Sequence, residues 1–184
     1  MLELDHFQRA NLYVSIHIFF EKLATGDQPP PEVKNLLESL GVELPSFTDE
    51  ELELASRYLS SLRASDVRLD LQQATRTHLR LYIKSFIENA GYIVLGPADS
   101  ITSMTAFAAR LAIEIYIDQM TDGKKYQKLE RLLHRFVKTH LIPVLTNANP
   151  QNKPLSKTVQ ELAMLLDEDC DTLLKQLTST GSAV

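Results

Sequence analysis

The sequence predicts an all-α protein, a single-domain bundle of six to seven helices that spans residues 1–184. Apolar residues recur at intervals of three and four in most segments, which is the spacing of a helix face buried against a core. The chain has only 6 glycines and no tryptophan, a composition that favours helices over turn-rich β-structure. Its length of 184 residues is enough to bury a core without disulfides or metals.

The first half of the chain is divided by prolines and capping residues. Segment 3–24 carries a β-branched stretch, Leu12–Phe20, that allows a strand, but its length and flanking residues favour a helix. The third proline of Pro29–Pro31 opens a short helix, 31–40. Thr48 and Glu51 then have the spacing of a capping box, so a helix begins there and its apolar residues run on to Leu62.

The second half continues the helical pattern. Gly91–Pro97 interrupts it, either as a buried extended connector or as a helix end. We expect Pro143 to stop the helix before it, and Thr158 with Glu161 to form the capping box of the last helix. The further predicted helices span residues 66–90, 100–121, 124–142 and 156–178. Flexible loops are expected at about 25–30 and 146–154, and a frayed tail at 179–184.

The N-terminus, the absence of long apolar stretches and the single cysteine limit the cellular locations that the sequence predicts. The N-terminus carries two acids in its first five residues and no basic segment, so it does not resemble a secretory signal. No stretch reaches 18 apolar residues, which predicts no membrane span and, as the default, a cytoplasmic protein. Cys170 continues an apolar row and is expected in the core. We expect neither a metal site nor a cofactor.

Helix 100–121 is the most apolar segment, and a narrow charged row interrupts it. Arg110, Glu114 and Asp118 stand four residues apart and therefore share one face. Such a row is either a charged cluster at the mouth of a cleft or an ion-pair ladder on the exposed edge of a buried helix.

Helix 124–142 is two-faced, with leucines and phenylalanine on one side and cations on the other. We call its cationic side the basic face; it consists of Lys124, Lys128, Arg131, Arg135 and Lys138. Residues 123–142 hold six basic side chains and one acid, whereas the whole chain carries a net charge of −5. The basic face is either a solvated helix face or a surface that binds an acidic partner.

Among binding partners, an acidic protein surface is favoured over nucleic acid. No aromatic residue is interleaved with the cations, no glycine-rich loop accompanies them, and the chain as a whole is acidic. A second copy of the chain is a further candidate, because acids concentrate at 43–53 and 161–171. The sequence is therefore also compatible with a homo-oligomer.

Two residues of this helix suggest a catalytic alternative. Arg135 and His140 form an R-x4-H pattern, which resembles the motif of HEPN-type ribonucleases, small all-α proteins of toxin and defence systems. That resemblance implies RNA cleavage by these two side chains. In a continuous α-helix, however, positions five apart diverge by about 140°, and Phe136 stands where the family usually has a polar residue. His140 is therefore also interpreted as a core histidine.

A second resemblance concerns the order of the helices. Residues 98–150, an apolar helix followed by one that ends His140-Leu141-Ile142-Pro143, are loosely similar to Bcl-2-type proteins. The likeness implies a surface groove that receives an amphipathic helix of a partner. The family's Asn-Trp-Gly-Arg element is absent, and Leu62–Asp66 is one residue short of its Leu-xxx-Gly-Asp motif.

The absence of a coherent catalytic motif favours a non-enzymatic interaction or assembly protein. No GxSxG, GxGxxG or P-loop sequence occurs, and no pair of histidine motifs suggests a metal site. The last helix adds an apolar row at near-heptad spacing, which is expected to dock on the bundle itself or on a partner. That row consists of Leu155, Val159, Leu162, Leu166, Cys170, Leu173 and Leu177.

Overall fold

The computed structural model describes residues 3–121 and 123–180, and most of these residues are helical. A single-turn helix, α4 (Ala64–Val67), lies between longer helices. A π-helical turn at Val137–Leu141 connects α7 (Tyr126–Phe136) to α8 (Ile142–Asn147) without a break. No β-strand occurs in the described ranges, so the predicted all-α bundle is confirmed. The helices are α1 (His6–Thr25), α2 (Pro31–Ser39), α3 (Asp49–Ser61), α4 (Ala64–Val67), α5 (Gln73–Asn89), α6 (Ile101–Met120), α7 (Tyr126–Phe136), α8 (Ile142–Asn147) and α9 (Lys153–Thr180).

Helix α1 lies at the centre of the bundle, and its β-branched middle is helical, not a strand. Asp5 accepts a hydrogen bond from the backbone N–H of Gln8 and caps its start, while Gly26 ends it with a left-handed φ of 84°. Leu12, Phe19 and Phe20 are completely buried. Because α1 packs against α2, α3 and α6, it needs apolar residues on more than one narrow face.

The predicted helix 66–90 is wrong at its start. The chain instead forms α4 and then a turn over residues 68–72, in which the guanidinium of Arg68 binds the carboxylate of Asp70, two positions on. That contact holds the backbone out of a helix until α5 begins. Leu69, which an uninterrupted helix over 66–90 would include, lies in this turn and is 71% exposed.

Pro143 does not stop the helix that precedes it. Proline has no N–H to donate to the carbonyl four residues earlier, which is that of Thr139. Nη1 of Arg68 donates to this carbonyl at 3.0 Å in place of the missing backbone donor. The helical run therefore passes through the π turn and continues as α8.

The last helix starts earlier than predicted and has a different cap. The side-chain oxygen of Asn152 accepts a hydrogen bond from the N–H of Leu155. Thr158 and Glu161 are not a capping box: both bind the backbone of Glu43, which fastens the loop before α3 to α9. The helix also runs on to Thr180, so residues 179 and 180 are not a frayed tail, and 181–184 lie outside the described residues.

The apolar row of α9 docks on the bundle, as one of the two alternatives expected. Every member of the row is buried, from Leu155 at 0% exposure to Leu177 at 9%. Cys170 is among them, and burial raises the pKa of its thiol to about 12.

A buried polar contact joins α1 to α9. Arg9 and Asp169 are 1% and 0% exposed, and Nε of the arginine donates to both carboxylate oxygens at 2.9 and 3.1 Å. The hydroxyl of Tyr13 donates to the same carboxylate at 3.2 Å.

In the described ranges, no helix is long and apolar enough to cross a membrane.

Candidate functional site

The basic face is carried mainly by α7. Leu133 and Phe136 point into the core with no exposed surface, and this fixes the opposite side of the helix in solvent. Lys128, Arg131 and Arg135 are exposed on that opposite side. Since α7 begins at Tyr126 and not at 124, Lys124 belongs to the preceding loop, where it is also exposed.

The one acid of α7 does not neutralise the basic face, because it points inward. Glu130 is 5% exposed, and its carboxylate lies 3.5 Å from Nδ1 of His6 on α1. Burial raises the pKa of Glu130 and lowers that of His6. In the part of the chain that the structure describes, Lys124, Lys128 and Arg131 have no ion-pair partner.

Lys138 differs from the other members of the basic face. Its ammonium group donates to Asp167 at 2.5 Å and to Asp171 at 3.2 Å, both on α9. These hydrogen bonds raise the pKa of Lys138. Its charge is therefore already compensated within the chain, and the cations left for a partner are the other four.

The structure brings Arg135 and His140 to the same aromatic ring. Cζ of Arg135 lies 5.8 Å from the ring centroid of Phe86, and the imidazole of His140 lies 5.7 Å from it, edge-on. A π turn holds more residues per turn than an α-helix, so each residue turns the chain through a smaller angle about the helix axis. Because residues 137–141 form a π turn, the angle between the directions of Arg135 and His140 is smaller than the angle expected for a continuous α-helix.

His140 is partly buried, and the pKa of its imidazole is lowered. Burial, together with the positive charges of Arg68 and Arg135, lowers the pKa of its imidazole to about 4. Its Nδ1 is buried and has no hydrogen-bond partner among the described residues. At neutral pH the ring is therefore uncharged, packed against Phe86 and Phe136, and it is available as a weak base but not as a cationic acid.

The charged row of α6 does not form one cluster. Nε of Arg110 donates to Glu114 at 2.7 Å, and the hydroxyl of Tyr92 donates to the other oxygen of the same carboxylate at 2.5 Å. Asp118 instead accepts from the backbone N–H groups of Lys125 and Tyr126 at 2.8 and 2.7 Å. It thus caps α7, the helix that carries the basic face.

A glycine is needed for this cap. A Cβ atom added to Gly123 would lie 2.1 Å from the carboxylate of Asp118, so no larger residue fits without moving the cap. The turn from α6 into α7, and with it the direction of the basic face, depends on this close approach.

A connector between α5 and α6 was expected at Gly91–Pro97 and is present, but two of its apolar side chains are not buried. The residues after Gly91 were expected to be buried if extended, yet Ile93 and Leu95 are 86% and 89% exposed. The signal was present as four successive apolar residues, Tyr92-Ile93-Val94-Leu95, between two glycines. Alternation of side chains in an extended segment turns every second one outward.

Metal binding and known families add no further assignment. Within residues 3–121 and 123–180, no group of three or more histidine, cysteine or acidic side chains is placed to hold a metal ion. No family model matches the sequence.

Proposed function

We propose that the protein is a non-enzymatic interaction protein that binds an acidic segment of a partner protein through the basic face. The observation that carries this proposal is the state of Lys128 and Arg131, which are exposed on a helix whose only acid, Glu130, is turned inward. The two cations are held on a helix anchored by Leu133 and Phe136. Little ordering of the protein backbone is therefore required on binding.

The charge distribution supports an acidic partner. The net charge of the chain is −5 although residues 123–142 are strongly basic. An acidic segment is repelled by most of the surface and attracted at this face, which orients the encounter and selects one register. Compensation of Lys138 by α9 narrows the binding surface to Lys124, Lys128, Arg131 and Arg135.

The test is a matched pair of double charge reversals. Lys128→Glu with Arg131→Glu reverses two of the four uncompensated cations of the basic face, whereas Arg80→Glu with Lys153→Glu changes the net charge equally at two other exposed positions. The probes are a fluorescein-labelled 20-residue poly-glutamate and a 20-nucleotide single-stranded RNA. Binding is followed by fluorescence anisotropy at several salt concentrations.

We expect poly-glutamate to bind the wild type and to lose about tenfold or more in affinity in the first variant only, since two surface charges contribute roughly 1 kcal/mol each. Equal losses in both variants would show that net charge, and not the basic face, controls binding. No binding of poly-glutamate, or tighter binding of the RNA, would reject the proposal.

A ribonuclease is the second candidate, favoured by the approach of Arg135 and His140 to one ring. The matched variants are His140→Gln and His78→Gln, the latter at an exposed position of α5. RNA cleavage by the wild type that is lost only in the His140 variant, with an unchanged circular dichroism spectrum, would replace the interaction proposal by the enzymatic one.

A further inference from the structure

The connector between α5 and α6 presents two apolar side chains on one side. Gly91 ends α5 with a left-handed φ of 92°, and residues 92–95 after it belong to no helix, with side chains that are alternately half-buried and exposed. Tyr92 and Val94 turn inward and pack against the core, while Ile93 and Leu95 turn outward. Isolated exposed apolar residues are ordinary, but these two are the most exposed large apolar side chains of residues 3–121 and 123–180, and they lie two positions apart.

The backbone of the connector is also open. Before residues 93–95, the N–H of Tyr92 donates to the carbonyl of Ile87 at 3.2 Å, and the next backbone hydrogen bond within the connector joins the N–H of Ser100 to the carbonyl of Pro97 at 3.1 Å. Among the described residues, the N–H and C=O groups of residues 93–95 have no protein partner. The segment therefore has the properties of an unpaired edge strand, with apolar side chains and free backbone groups side by side.

A pocket of about 250 Å³ lies beside this edge. Phe107 of α6 is one of its walls, and Tyr92 packs edge-on against that ring at a centroid distance of 5.3 Å. The hydrogen bond from Tyr92 to Glu114 holds the tyrosine ring in place. The pocket is lined mainly by apolar side chains, with Arg110 at its rim.

The pocket is close to one end of the basic face. Phe107 lies 6.3 Å from Phe86, and Arg135 lies 5.8 Å from Phe86 on the α7 side. The guanidinium of Arg135 is therefore within about 12 Å of the pocket wall, a distance that roughly four residues of extended chain cover. An apolar pocket and a cation without an ion-pair partner among the described residues therefore lie within this distance of each other.

We infer that the connector binds an extended segment of a partner protein, which adds to residues 92–95 as a strand. Apolar side chains of that segment enter the pocket beside Phe107, and acidic residues about four positions away reach Arg135. The inference rests on the proposed function, since it specifies the partner's binding segment. A bound helix satisfies its own backbone and leaves the connector unpaired, whereas an extended peptide supplies both backbone groups and apolar side chains.

The experiment selects ligands without assuming one. A phage-displayed library of random 12-residue peptides is selected on the intact protein, and the enriched peptides are synthesised for affinity measurements. The test variant is Ile93→Asp with Leu95→Asp. Its control is Leu69→Asp, at another exposed leucine 71% accessible to solvent. All three positions are exposed, so the variants are expected to remain folded.

We expect enriched peptides with alternating apolar residues and an acidic end, which lose at least tenfold in affinity in the connector variant and not in the control. Amide hydrogen exchange measured by NMR should slow at alternate residues of 92–95 when a peptide binds. Sensitivity to Lys128→Glu with Arg131→Glu is expected as well, because the acidic end lies on the basic face.

The other outcomes separate the two proposals. Peptides that require only the basic face leave the proposed function intact and overturn strand addition. Peptides that require only the connector and carry no acids overturn the proposed function and leave strand addition. Absence of enriched peptides, apolar residues at helical spacing, or a wild-type dimer that dissociates in the connector variant each overturns the inference.

Discussion

Arg9 and Arg131 are two cations in opposite environments, one buried and paired with an acid, the other exposed. Arg9, on α1, is 1% exposed and is held by Asp169 of α9. Arg131, on α7, is exposed and has no ion-pair partner among the described residues. The first joins two helices inside the bundle, and the second is available to another molecule.

The difference shows that burial, and not charge alone, separates a structural ion pair from a cation that is accessible to another molecule. A buried charge must be compensated within the protein, because its desolvation costs several kcal/mol. An exposed charge needs no such compensation, and its attraction to a surface partner is small in water. Three groups of variants, ordered from the largest expected effect to the smallest, test this contrast.

The largest effect is expected for Asp169→Leu. It removes the carboxylate that pairs with the buried guanidinium of Arg9, which costs about 3–5 kcal/mol of the free energy of unfolding. The double variant with Arg9→Met should recover most of this loss, since it replaces both charges by apolar groups. Urea denaturation at pH 7 measures both, with Glu168→Leu as the control at an exposed position of the same helix. A double variant no more stable than the single one would contradict this account of the pair.

An intermediate effect is expected for His140, which lies between the two extremes. The pKa of its imidazole is 6.5 in the unfolded chain and about 4 in the folded protein. Between these values the unfolded state binds more protons, so this contribution is complete above pH 7 and is lost as the pH falls from about 6.5 to 4. The size is at most about 3 kcal/mol, at roughly 1.4 kcal/mol per pKa unit, and less than that because the ring is partly solvated.

The variant His140→Gln isolates that contribution. Its free energy of unfolding, measured by urea denaturation from pH 7.5 to 4, should fall less steeply with acidification than that of the wild type. Parallel curves for the two proteins would show that His140 takes up its proton equally in both states.

The smallest effect is expected for the exposed lysines. Lys138→Met breaks the contacts with Asp167 and Asp171 and should cost about 0–1 kcal/mol of stability, without weakening the binding of poly-glutamate. Lys128→Met should leave stability within about 0.5 kcal/mol and should weaken that binding. The reverse assignment would mean that Lys138, and not Lys128, belongs to the binding surface.

Local patterns in the sequence predicted most of the fold. The capping box of Thr48 and Glu51 is formed as expected, and Gly41 ends α2 with a φ of 87°. Such features depend on residues three or four apart, which the sequence displays directly. The fold class follows from the same local patterns repeated along the chain.

Contacts between distant residues account for the wrong predictions. Thr158 binds Glu43 across 115 positions, and Arg68 binds the Thr139 carbonyl across 71. Lys138 was expected to be free like the rest of the basic face. The acids that pair with it, Asp167 and Asp171, lie on another helix, so the sequence around Lys138 does not show them. Periodicity carries no information about which helices become neighbours, so these partners appear only in the folded structure.

The contact between Arg68 and Thr139 also has a consequence for the folding pathway. A peptide of residues 126–147 lacks Arg68, so nothing replaces the hydrogen bond that Pro143 removes, and its helix should fray near the proline. In the whole chain, the run from α7 to α8 is completed only when the segment after α4 arrives. Closure of this 71-residue loop should therefore precede or accompany the last helical propagation through Pro143.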